Sequence, residues 1–295
     1  MNLTTVYSDT WKDRVLPYIE LLKLRLSFLV AFSSAFGYLL AYQGMLAWTQ
    51  FVWFTIGGFL ISGASVTINQ LLESKYDAVM KRTAARPVPT GRISRQHAIV
   101  YVLALSLAGF VLVGLAGNLF AVLLSFLSLL LYAFVYTPLK RVGPIAVLVG
   151  AFPGALPPLI GWVAATGSIS HEALIIFGIQ FIWQFPHFWA IAWVGDEDYK
   201  RAGFKLLPGG GKKDLNTAIN IMVYTLFLLP LGLLPTYFGL TGITSGVIAT
   251  VCGVLFLSQT FTLMKDTSRQ SALRIMFGSF IYLPIVQIAY LIDKL

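Results

Sequence analysis

Residues 69–95 read NQLLESKYDAVMKRTAARPVPTGRISR and follow directly on a long apolar segment. Asn69, Glu73 and Asp77 are spaced i, i+4, i+8, so a helix that continues through them carries all three on one face. Two carboxylates and an amide at the edge of a bilayer are costly to desolvate unless water, a partner or a cation meets them. Oxygen ligands of this kind suit Mg²⁺, which keeps several waters and usually shares its shell with substrate phosphates. The Lys and Arg residues that follow offer charge of the sign a phosphate needs.

The composition sets the class. Of 295 residues, 57% are hydrophobic and 11% charged, and the mean hydropathy is +0.79. An ordinary soluble domain is excluded, and the reading is an all-α polytopic membrane protein. Strands are not expected, because an open sheet in lipid leaves backbone groups unpaired. Hydropathy places nine spans, at 26–43, 51–72, 98–116, 119–137, 144–164, 171–194, 217–238, 243–264 and 272–292. Residues 1–22 read as a polar cytoplasmic or interfacial segment with a mobile tail, and residues 23–295 as a single nine-helix domain. In YIELLKLRLSF the pattern predicts a short amphipathic helix that lies at the interface and runs into the first span. The N-terminus lacks a cleavable leader pattern and is expected to be retained. Cys252, the lone cysteine, rules out an intramolecular disulfide.

Charge gives the orientation. With nine spans, every Lys and Arg except Lys294 falls on one side, which identifies that side as cytoplasmic. The expected location is a bacterial inner (cell) membrane. The C-terminus then lies opposite. Two loops on the basic side are long and carry acids as well as bases, and such loops are where function is usually built. The second holds Asp196, Glu197 and Asp198 at the end of span six, matching Glu73 and Asp77 at the end of span two. Matched acids at one membrane face point to a shared site rather than to headgroup charge balance. Lys81, Arg82, Arg86, Arg92 and Lys140 have the chemistry for a diphosphate, Arg as a planar fork and Lys as a point charge. The same residues also serve as topology signals, which is the better reading for Lys212, Lys213, Arg269 and Arg274. No GxxxxGK[ST] loop is present, and GGGKK at 209–213 reads as a flexible loop.

Span six carries FIWQFPHFW, with Trp183, Gln184, Pro186 and His187 in a stretch otherwise fit for lipid. An intramembrane His is a functional-site candidate, the plain alternative being an interhelical hydrogen bond. Neutral imidazole is also a common metal or haem-iron ligand. His97 and His171 sit at span starts and read as interfacial. Span five, GPIAVLVGAFPGALPPLIGW, is rich in Gly and Pro and reads as a kinked packing helix with a small-residue face.

The run from Asn69 through RPVPTGRIS resembles the first aspartate-rich motif of the UbiA-type intramembrane prenyltransferases. YTPLKR at 136–141, WQFPHFWAIAW at 183–193 and DYKRAGFKLLP at 198–208 are similar to the haem O synthase branch of that family. The resemblance implies nine helices around a central chamber, Mg²⁺ as cofactor, and transfer of farnesyl from farnesyl diphosphate to a vinyl group of haem b within the membrane lipid. The product would be a hydroxyethylfarnesyl haem serving haem-copper oxidase biogenesis. It implies Asn69, Glu73, Asp77 and Asp198 as catalytic residues, the same four as metal ligands, and Asp196 as a further metal ligand beside Glu197. Arg82, Arg86, Lys140 and Lys200 would meet the diphosphate, and His187, Gln184 and Trp183 would face the acceptor. Glu73 departs from the more usual Asp, which shifts geometry rather than removing the site. A downstream haem-modifying or oxidase-assembly protein is an implied partner, and nucleic acid is not. Two alternatives stay open at this point: prenyl transfer to an aromatic quinone precursor, and a membrane transporter or lipid-binding protein.

Overall fold

The computed structural model describes residues 11–295, the side chains of residues 12 and 13 excepted. The expected mobile tail before them lies outside the described residues. Among the described residues, nine helices are long and apolar enough to cross a membrane. In chain order these spans are Leu24–Ala41, Trp48–Asp77, Arg95–Ala116, Leu119–Leu139, Ile145–Thr166, His171–Val194, Leu215–Tyr237, Ile243–Asp266 and Arg269–Ile292. The described residues hold no strand, only an isolated bridge between Thr241 and Lys294. The protein is an integral membrane protein. Its outward faces carry large exposed apolar residues such as Leu103, Leu107, Leu255 and Phe261, the surface that acyl chains would cover.

Several spans begin at polar caps. Ser94, Asn118, Ser170, Asp214 and Ser268 each accept a backbone N–H from the first turn of spans three, four, six, seven and nine. Each span packs on its neighbours in sequence, and span nine returns to span one, so the bundle closes. Spans one and five also meet across it through glycine. A Cβ on Gly37 would lie 1.9 Å from the Pro158 carbonyl oxygen, and one on Gly161 would lie 1.9 Å from that of Ser34. Only Gly lets these backbones approach so closely. Span five remains one continuous helix through Pro153, Pro157 and Pro158, and its packing role is as the small-residue pattern implied.

Three features position the functional end. Span two is 30 residues long, about 45 Å, against a hydrocarbon core of about 30 Å. Its last turns therefore emerge at the membrane edge with Asn69, Glu73 and Asp77 on board. The N-terminal amphipathic helix runs from Trp11 to Leu22, earlier than the sequence pattern placed it, and does not run into span one. Lys23 breaks the two apart with left-handed backbone, φ 45° and ψ 60°. Span four changes register near its end, where Leu131–Tyr136 is a π-helical turn, a local widening often found at functional sites.

At the opposite face, the C-terminus clamps the bundle. The Lys294 ammonium donates to the carbonyls of Leu39 and Tyr42 at the end of span one. Asp293 accepts the backbone N–H of Ser245 at the start of span eight, at 2.7 Å. The single basic residue that falls opposite the others is thus a helix C-terminal cap, where a cation is favoured.

Candidate active site

Asn69, Glu73 and Asp77 are all buried, with Asp77 fully so, while Lys75 on the other side of the same helix is exposed. Each acid has a base beside it. Arg86 Nη1 lies 2.6 Å from Asp77 Oδ2, and Lys140 Nζ lies 2.9 Å from Oε1 and 3.2 Å from Oε2 of Glu73. Asn69 donates to Thr137 Oγ1 at 3.0 Å, and that hydroxyl donates to the Tyr132 carbonyl at 2.9 Å. The π-helical turn and the acidic face of span two are therefore one packed unit.

Burial works against the Lys140 charge. The Glu73 carboxylate overcomes it, with smaller help from Tyr132 and Tyr199, and holds the amine above its ordinary value. The ammonium also sits 4.7 Å over the Tyr136 ring, a cation–π contact. Beside these groups stands Lys23, half-buried at the helix break. Burial, then the nearby charges of Arg86 and Lys140, lower its pKa to about 7 against the pull of Asp77, with Arg82 adding to the lowering. Sequence reasoning missed Lys23 as a site residue. A Lys just before an apolar segment reads as a topology signal, and nothing in the pattern announces the left-handed turn that swings it inward.

The second acidic loop docks on the first. Asp198 Oδ1 accepts the backbone N–H of Lys81 at 3.1 Å, and Oδ2 accepts that of Arg82 at 3.2 Å. The Arg82 guanidinium leans over Tyr199 at 5.9 Å. Asp196 is buried and pairs with Lys200 at 2.8 Å and Lys213 at 3.3 Å, whereas Glu197 is exposed. Arg92 does not join the cluster. It makes a bidentate pair with Glu20, at 2.9 and 2.7 Å, and so ties the amphipathic helix to the loop after span two. Lys200, 60% exposed, stands at the rim with Asp196.

Among the described residues no three acidic, His or Cys side chains converge tightly enough to hold a metal by themselves. The donor set nevertheless fits a hard cation that shares its shell with water and phosphate. Asp77 Oδ1 is buried without a hydrogen-bond partner, and a buried carboxylate oxygen left open costs free energy that a cation would recover.

Further into the membrane, the acceptor-side candidates lie on one face of span six. Trp183 donates from its indole to the Ser279 carbonyl at 3.0 Å and stacks on His187, with ring centroids 4.4 Å apart. Gln184 and Gln180 both donate to the Gly154 carbonyl, at 3.0 and 2.8 Å. A Cβ on Gly154 would lie 2.7 Å from the Gln184 amide, so a larger residue there would push the Gln184 side chain from this position. Gln180 belongs to a buried network with Ser33 and Gln287 that ties spans one, six and nine together. His97 and His171 lie at the starts of spans three and six, His97 against Ser94 and His171 against Glu172, away from this face.

The chain matches the UbiA prenyltransferase family over residues 30–283. It is 54% identical over 278 residues to the protoheme IX farnesyltransferase of Cytophaga hutchinsonii, covering 94% of this chain and 97% of that protein. It is 42% identical to the protoheme IX farnesyltransferase of Christiangramia forsetii, covering 93% and 92%. Among solved structures, a digeranylgeranylglyceryl phosphate synthase superposes with a TM-score of 0.78 at 19% identity, covering 95% of this chain and 98% of that one. A UbiA homologue from Archaeoglobus fulgidus bound to GPP and Mg²⁺ superposes at 0.64 with 16% identity, covering 93% and 99%. These distant likenesses speak to the fold, and the family assignment rests on the sequence match. The chain belongs to the UbiA prenyltransferase family and is a membrane prenyltransferase.

Proposed function

We propose that this chain transfers farnesyl from farnesyl diphosphate to a vinyl group of haem b, giving haem O for haem-copper oxidases. The observation that carries the reading is the buried cluster of Glu73, Asp77, Arg86 and Lys140 at the emerging end of span two. Relatives named for this reaction supply the acceptor. In this reading residues 23–295 work as one domain and residues 1–22 as an interfacial lead. The active-site end faces the cytoplasm of a bacterial inner membrane, from the charge asymmetry, and the C-terminus faces the other side.

Asn69, Glu73 and Asp77, with Asp198 and Asp196 from the second loop, would hold Mg²⁺ together with the diphosphate. When bound, the metal supplies positive charge at the phosphate oxygens. Arg86 and Lys140 neutralise carboxylates in the free protein. On substrate binding they turn part of that charge to the diphosphate, joined by Lys23, Arg82 and Lys200. As the bond from farnesyl C1 to oxygen breaks, its electron pair leaves with the diphosphate, and these bases meet the growing negative charge. The Tyr132 and Tyr136 rings, 5.4 Å apart, offer π-faces to the allylic cation, and the apolar walls keep bulk water from trapping it. The vinyl group adds to the cation. One water then captures the resulting carbocation and loses a proton, which completes the hydroxyethylfarnesyl group.

The test is direct. Purified protein in lipid, given Mg²⁺, farnesyl diphosphate and haem b, should yield a product with the mass of haem O and release diphosphate. Offering an aromatic quinone precursor in parallel separates the alternative. Prenylation of that acceptor with haem b untouched would replace the present reading. Downstream haem-modifying or oxidase-assembly proteins are the partners such a product implies.

A further inference from the structure

Resting on the haem-acceptor reading, we propose that Ser279 of span nine is a positioning residue. It fixes His187 with the proton on Nδ1, so that Nε2 presents a lone pair to the iron of the substrate haem. Ser279 Oγ donates to the Met276 carbonyl at 2.6 Å, and a hydroxyl has a single proton to give. The same oxygen lies 2.8 Å from His187 Nδ1. Toward the ring it can only accept, so Nδ1 carries the hydrogen and Nε2 does not. Among the described residues His187 makes no ion pair and its ring hydrogen-bonds only through Nδ1, leaving Nε2 without a partner. A second proton there would be a buried charge without a partner.

The ring is also held in direction. Trp183 stacks on it with planes 18° apart, Phe280 meets it edge-on at 5.0 Å, and Phe188 does so at 5.5 Å. Trp183 is itself tied to the Ser279 backbone, so the stacking partner and the hydrogen-bond acceptor move as one. A ring nitrogen oriented through a hydrogen bond to the other is the arrangement by which proteins set a histidine as a metal ligand. Flat aromatic side chains around it suit the face of a porphyrin. Ligation would anchor the haem at span six and leave its vinyl edge free to turn toward the farnesyl cation.

The experiment titrates ferric haem, and separately iron-free protoporphyrin IX, into the full-length protein in lipid nanodiscs without farnesyl diphosphate. The proposal expects nitrogen ligation in the wild-type haem absorption and EPR spectra, lost in His187→Gln. Protoporphyrin binding should be equal in the two proteins. Ser279→Ala should weaken haem binding between about twofold and tenfold, the span of one neutral hydrogen bond, and leave protoporphyrin binding unchanged. Ser279→Thr should restore it. Equal haem affinity and an unligated iron spectrum in wild type would overturn the proposal while leaving the acceptor reading intact, as a His187 acting only as a base would. If neither porphyrin bound saturably, the acceptor reading would fall and the proposal with it. An unligated iron spectrum in the wild type overturns the proposal even if a variant misfolds.

Discussion

The Asp198 carboxylate accepts the backbone N–H of Arg82 at 3.2 Å, across a separation of 116 residues. With the Lys81 amide on its other oxygen, this acid spans the loops that follow spans two and six. In the proposed reading, a diphosphate bound between those loops would rely on a contact already present without ligand, which would lower the ordering cost of binding.

Asp198→Ala should therefore do two things. It should lower kcat/KM by about 100-fold, in the range seen when one preorganised charge at a transition state is removed. It should also raise the rate of proteolysis in the loop at 78–94 in the ligand-free protein. Lost activity without a change in cleavage would leave Asp198 as a metal ligand alone and remove its docking role.

Glu73 and Lys140 form a buried pair whose two members should not be separable. Glu73→Gln or Lys140→Met alone strands a buried charge, at a cost of about 3–5 kcal/mol. The double variant strands none and should recover most of the thermal stability while remaining inactive. Additive losses in the double variant, measured as thermal midpoints in detergent, would mean that the pair is effectively solvated.

Much of this arrangement was legible in the sequence. Apolar length gave the spans, and the i, i+4, i+8 spacing gave the buried face of Asn69, Glu73 and Asp77 because a helix repeats itself. Arg86 and Arg92 show the limit. Both lie in the same basic loop after span two, and only the path of the chain through its turns sends Arg86 to Asp77 and Arg92 to Glu20. Ser279 gave no signal at all, since a lone Ser in an apolar segment commonly bonds to its own helix. Its meaning comes from His187, 92 positions away.

Lys294 supplies a prediction far from the chemistry. Its ammonium caps the end of span one, and the charge is partly solvated. Lys294→Ala should lower stability by about 1 kcal/mol and leave the rate of farnesyl transfer at 25 °C unchanged. A loss of turnover without a fall in the thermal midpoint would show that the C-terminal clamp reaches the active site.

Lys23 makes diphosphate binding depend on pH. In the free protein its pKa is lowered to about 7 by burial and by Arg86 and Lys140, against Asp77 and with Arg82 adding to the effect. A bound diphosphate adds negative charge beside it and raises that pKa toward the ordinary lysine range. Below pH 7 the ammonium is present before binding, and affinity is at its full value. Above pH 7 a proton must be taken up with the ligand, so affinity falls by as much as about tenfold per pH unit until the pKa of the complex is passed. Calorimetry of an unreactive farnesyl diphosphate analogue at pH 8, in buffers of different ionisation enthalpy, should register this proton uptake. Lys23→Met should bind more weakly at pH 6 and lose the Lys23 share of both the uptake and the pH slope. An identical slope in wild type and Lys23→Met would place the titration elsewhere, in the ligand or in another group, and remove Lys23 from the diphosphate cradle.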